Sequence, residues 1–134
     1  MKKLIFIDDS PLDHFILKRI LTRYNLAYEV NCTENGEEVI TFLQRHKDNP
    51  EILPDIILLD LYMPNFDGWE CLEKIQKICS KLAKPIKTYI LSSSINPQDI
   101  QHAKQYDCVR SFIFKPITKE MLEKLINEES TSIS

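Results

Sequence analysis

Leu4-Ile5-Phe6-Ile7-Asp8-Asp9 is a run of four apolar residues that stops at two acids. The pattern recurs twice: Ile56-Ile57-Leu58-Leu59 stops at Asp60, and Phe112-Ile113-Phe114 stops at Lys115-Pro116. Unbroken apolar runs of this length read as strands buried on both faces, as in parallel sheets covered by helices. In such sheets ligands sit beyond the carboxyl ends of the strands. Three carboxylates and one amine are therefore expected to converge on one edge. Crowded carboxylates repel and need a cation, and hard oxygen donors suit Mg²⁺.

Working outward, strands and helices alternate. The pattern predicts strands over about 3–8, 26–32, 55–60, 87–92 and 110–114, and helices over about 11–24, 35–47, 67–80, 97–106 and 118–129. Five such units predict an α/β doubly wound sandwich of the flavodoxin-like (βα)5 type. Its five-stranded parallel sheet would run in the order 2-1-3-4-5, with the first and third strands adjacent at the switch point. Ser10-Pro11 and Asn96-Pro97 each offer a helix cap followed by proline at the first helical position. Asp67-Gly68-Trp69-Glu70 has capping-box spacing, and Thr118 can cap the last helix. The second strand mixes polar with apolar residues, which suits an edge.

The length of 134 residues fits one domain with a real core. No apolar stretch approaches the roughly 20 residues of a membrane span, and no signal-peptide pattern is present. These features lead us to expect a cytoplasmic protein. A net charge of −3 argues against a nucleic-acid partner. Cys32, Cys71, Cys79 and Cys108 lack the pairing of a zinc site and read as reduced, mostly buried thiols. Lys74, Lys77, Lys81 and Lys84 read as a solvated helix face.

The ordered set of Asp8-Asp9, Asp60, Ser92 (in Tyr89-Ile90-Leu91-Ser92-Ser93) and Lys115-Pro116 resembles the receiver domain of two-component response regulators. Asp60 also opens Asp60-Leu61-Tyr62-Met63-Pro64-Asn65-Phe66-Asp67-Gly68, which looks like that family's phosphoacceptor loop. The resemblance covers about residues 3–128, and it implies a single receiver domain over 1–134. Residues 129–134 are expected to fray, and no output domain is expected.

By resemblance, Asp60 is the phosphoacceptor. Asp9 binds Mg²⁺ directly, Asp8 assists, and Asp60 and the Tyr62 backbone carbonyl complete the metal's oxygen ligands. Lys115 contacts the phosphoryl group, and its bond to Pro116 is cis. Ser92 supplies the switch hydroxyl and Phe112 the switch aromatic. Tyr62 and Ser94 flank the water approach and tune dephosphorylation. Each residue also has an ordinary reading: a loop aspartate, a helix-capping Asp9, a surface lysine, a turn serine, a core phenylalanine.

The implied function is a phosphorylation-activated switch. It would accept phosphate from a histidine kinase or phosphotransfer protein and signal to an unknown downstream protein, as a monomer or weak homodimer. It would not be an enzyme beyond Mg²⁺-dependent self-phosphorylation and self-dephosphorylation. An aspartate-nucleophile phosphatase is the competing reading, but it usually places an acid two residues after the nucleophile, where Tyr62 stands. A flavin or nucleotide binder lacks support, because Gly36 and Gly68 are isolated and form no phosphate loop. A degenerate, constitutive adaptor would be expected to lack the acids or the lysine.

Overall fold

Every residue of Ile56–Asp60 is buried, so the central strand reads as the sequence pattern requires. The computed structural model describes residues 2–63, 66–93 and 96–131. The elements in chain order are β1 (Lys2–Ile7), α1 (Pro11–Arg23), β2 (Tyr28–Thr33), α2 (Gly36–Arg45), β3 (Ile56–Asp60), β4 (Tyr62–Met63), β5 (Phe66–Asp67), α3 (Gly68–Cys79), β6 (Lys87–Ser92), α4 (Pro97–Ala103), β7 (Val109–Phe114) and α5 (Lys119–Thr131). The main sheet has the order β2-β1-β3-β6-β7, with every pairing parallel. Counting only its own five strands, this is the expected 2-1-3-4-5. The mixed-polarity strand β2 lies on an edge.

Period-2 alternation divides the strand side chains between two cores. Ile5, Ile7, Ile57, Leu59 and Ile90 pack with Val39, Leu43, Leu72, Ile75 and Ala103 from α2, α3 and α4. Leu4, Phe6, Ile56, Leu58, Tyr89 and Leu91 pack with Leu17, Leu21, Leu122 and Leu125 from α1 and α5. Helices on both faces are what let the inner strands carry unbroken apolar runs.

The caps follow the sequence. Ser10 Oγ accepts the Asp13 N–H, Asn96 Oδ1 accepts the Gln98 N–H, and Thr118 Oγ1 accepts the Met121 N–H. Asp67 Oδ1 accepts both the Trp69 and Glu70 N–H groups.

Two helix ends and one strand pair differ from expectation. The helix α4 ends at Ala103, not near 106, and turns carry the chain on to β7. The helix α5 continues to Thr131, into the segment expected to fray. The antiparallel pair β4–β5 was not expected from sequence: two-residue strands carry too little pattern to read. It folds the chain after Asp60 back onto itself and delivers it to α3. Ser94, expected to tune dephosphorylation, lies outside the described residues.

Candidate functional site

The parallel register brings the strand ends together. Asp60 closes β3 opposite Leu91 of β6, and Ser92 at the end of β6 lies opposite Phe114 of β7. The Lys115 N–H then donates to the Ser92 carbonyl at 2.8 Å, which extends the ladder one step past β7. Asp8 follows β1 directly, and its N–H donates to the Thr33 carbonyl of β2 at 2.9 Å. Four strands thus fix the backbone under Asp8, Asp60, Ser92 and Lys115. The Lys115–Pro116 peptide bond is cis.

Asp8, Asp9 and Asp60 can each place a carboxylate oxygen within 4.8 Å of the other two. Asp8 is fully buried, Asp60 is 6 % exposed and Asp9 is half-buried. Three oxygen donors with no nitrogen or sulfur among them are the donor set of a hard divalent ion, so these residues fit Mg²⁺ or Mn²⁺. Asp8 Oδ1 accepts the Ser10 N–H at 2.9 Å, and Asp60 Oδ1 accepts the Tyr62 N–H at 3.0 Å. Each carboxylate is therefore oriented by the backbone two residues on.

The Lys115 ammonium donates to Asp8 Oδ2 at 2.8 Å, to Asp13 Oδ2 at 2.8 Å and to Asp60 Oδ2 at 3.2 Å. Burial alone would lower the Lys115 pKa. The hydrogen bonds to Asp13 and Asp8, with the charges of Asp60 and Asp8, outweigh it and hold the ammonium above the usual lysine range. For Asp8 burial dominates and raises the carboxyl pKa, against the opposing pull of Lys115 and the Ser10 N–H. Asp8 is thus charged at a cost that one shared ammonium only partly offsets.

The sequence reading did not single out Asp13. A signal was available: it is the third residue of a helix that starts immediately beyond the acidic strand end. Helical Cβ atoms tilt toward the N-terminus, so a carboxylate there leans back over that end.

The other expected residues are distributed as follows. Ser92 is buried at the carboxyl end of β6. Phe112 is half-buried, packs against the core on the α2, α3 and α4 face, and lies 5.5 Å from the Phe114 ring. Tyr62 is 51 % exposed, and its hydroxyl donates to Asp99 of α4. That hydrogen bond, with some burial, raises the phenol pKa. Trp69 stacks on His102 of α4 at 4.0 Å, so α4 is tied twice to the segment that follows Asp60.

Comparisons with known proteins agree with this geometry. The family model for the response regulator receiver domain matches residues 4–127. The two-component response regulator ORR1 of Oryza sativa subsp. japonica is 29% identical over 127 residues; the match covers 93% of this chain and 54% of that protein, so the chain spans about half of that relative's length. Among solved structures, a two-component response regulator from Cytophaga hutchinsonii superposes with a TM-score of 0.82 at 26% identity, covering 97% of each chain. The Mn²⁺-bound form of response regulator Rcp1 superposes with a TM-score of 0.72, also at 26% identity, covering 98% of this chain and 94% of that one. No helix among the described residues is long and apolar enough to cross a membrane. With acids at the ends of β1 and β3, a lysine after β7 and this sheet order, the chain belongs to the response regulator receiver domain family.

Proposed function

We propose that the chain is a phosphorylation-activated switch whose phosphoacceptor is Asp60. The observation that carries this reading is the position of Asp60: at the carboxyl end of the central strand, nearly buried, within 4.8 Å of two further carboxylates and 3.2 Å from an ammonium. Two-component chemistry then suggests a histidine kinase or phosphotransfer protein as donor. The donor's phosphorus–nitrogen bond would break as an Asp60 oxygen–phosphorus bond forms, and the imidazole would leave with the electron pair. A Mg²⁺ ion held by Asp8, Asp9 and Asp60, with the Tyr62 carbonyl, would supply charge neutralisation for the phosphoryl oxygens.

Each residue has a task in this reading. The Asp60 carboxylate is aimed by the Tyr62 N–H, which leaves its other oxygen toward Lys115. Lys115 pairs with a phosphoryl oxygen once the group is in place. Ser92 donates its hydroxyl to another, and Phe112 responds on β7. Phosphate would bias the surface of α4, β7 and α5 toward a downstream protein. The chemistry is confined to gaining and losing one phosphoryl group, without turnover of an outside substrate.

Acetyl phosphate with Mg²⁺ should add one phosphoryl mass to the protein, and Asp60→Asn should abolish the addition. Labelling of Asp60→Asn at the wild-type level would reject Asp60 as the acceptor.

A further inference from the structure

Among the described residues Lys115 has three carboxylate partners, and they are not equivalent. Asp8 and Asp60 belong to the trio read above as the cation site, whereas Asp13 stands outside it. Asp13 is also set by a different element. Its N–H is bound by the Ser10 cap, which fixes it in the first turn of α1, with its side chain 17% exposed.

The geometry poses a conflict. An ammonium 2.8 Å from Asp8 Oδ2 and 3.2 Å from Asp60 Oδ2 sits on two of the three carboxylates that a divalent ion would use. Like charges repel at this range, and Lys115 is itself only 14 % exposed, so it cannot simply turn into water. It needs a carboxylate that the cation does not claim. Among its three partners, Asp13 alone meets that need, and it already lies at 2.8 Å.

We propose that Asp13 is a positioning residue that holds Lys115 while a divalent cation takes Asp8 and Asp60. The inference rests on the reading of Asp8, Asp9 and Asp60 as a cation site. Asp13 acts through Lys115 and touches neither the cation nor the phosphoryl group. With Asp13 present, the ammonium gives up Asp8 without losing its ion pair, and it stays close enough to reach a phosphoryl group on Asp60. Without Asp13, the ammonium stays on the trio and competes with the metal.

A double-mutant cycle on Mg²⁺ affinity tests this, with calorimetry as the readout. Asp13→Asn keeps the side-chain shape and should weaken Mg²⁺ binding about fivefold to tenfold, roughly 1–1.4 kcal/mol. Asp13→Glu restores the charge and should bind within about twofold of wild type. Lys115→Ala removes the competing ammonium and should bind more tightly than wild type. In the Lys115→Ala background, Asp13→Asn should then have an effect of less than about twofold. Wild-type affinity in Asp13→Asn would overturn the proposal. So would an equal loss in both backgrounds, which would mean a bulk charge effect or a shifted helix. A wild-type protein that binds no Mg²⁺ at all would reject the cation site itself, and this inference with it, a result distinct from either of the others.

Discussion

Asp8 is the residue at which folding and function pull in opposite directions. Its carboxyl is fully buried, and burial raises its pKa above 3.8. The unfolded chain therefore releases this proton at a lower pH than the folded one. Between those two values the folded state binds more protons, so stability falls as pH rises through the window and stays reduced at neutral pH. Asn imitates the protonated form, and Lys115 keeps Asp13 and Asp60 as partners. In the absence of metal, Asp8→Asn should stabilise the protein at pH 7 by more than the roughly 0.5 kcal/mol scatter of neutral substitutions. The gain should vanish below about pH 3.8, where wild type is protonated in both states. Saturating Mg²⁺ should remove or reverse it, because wild type gains more from binding. Thermal melts across pH, with and without Mg²⁺, measure all three; a destabilised Asp8→Asn at pH 7 without metal would contradict the account. The acids themselves were legible in the sequence because each ends an apolar run. The coupling of Asp13 to Lys115 was not, because it joins a helix to a strand end 102 residues away.

At the scale of elements, the joint between β3 and α3 has almost no room. A Cβ added to Gly68 would lie 2.4 Å from Leu61 Cα and 2.5 Å from the Leu61 carbonyl oxygen. Both are backbone atoms, so the chain itself must move, and the Gly68 N–H now donates to that same carbonyl at 3.2 Å. Leu61 follows Asp60 directly. Gly68→Ala should cost about 1–3 kcal/mol, the range for forced overpacking, and should slow labelling of Asp60 by acetyl phosphate. Denaturant melts and intact-mass time courses check the two parts; unchanged values in both would show that the joint yields freely. The sequence placed Gly68 at the start of a helix, but only the fold shows what it faces. The same holds for Tyr62. Its bulk was evident from sequence, while its tie to Asp99 spans 37 residues and carries no local pattern. The helix α4 ends at Ala103, a buried residue that belongs to the core of the α2 and α3 face.

For the whole molecule, the alternation was legible because the inner strands β1, β3 and β6 are largely buried on both faces, while α2 and α3 each bury one stripe. Val39, Ile40 and Leu43 of α2, and Cys71, Leu72, Ile75 and Ile78 of α3, keep helical spacing and cover one side. The four cysteines sort by depth within this layering. Burial pushes the Cys71 and Cys108 thiols up to about 12, and the Cys108 N–H is further fixed by Gln76 at 2.9 Å. Cys32 and Cys79 are only half-buried. At pH 8 a thiol reagent should modify Cys32 and Cys79 first, and Cys71 and Cys108 only after denaturant is added. Mass mapping of the labelled peptides decides it, and early modification of Cys71 would show that the α3 face opens readily.

The ammonium that neutralises the carboxylate edge comes from residue 115, and its bond to Asp8 spans 107 residues. A ribosome makes the chain from its N-terminus, so β1, β3 and their acids emerge well before β7. Until then the growing polypeptide carries Asp8, Asp13 and Asp60 without Lys115, the ammonium that binds them in the folded protein. Release of the last fifth of the chain, rather than collapse of the central strands, would settle the charge at the sheet edge. Nascent chains halted short of Lys115 should accordingly be more easily cut by protease than the finished protein, and added Mg²⁺ should narrow the gap.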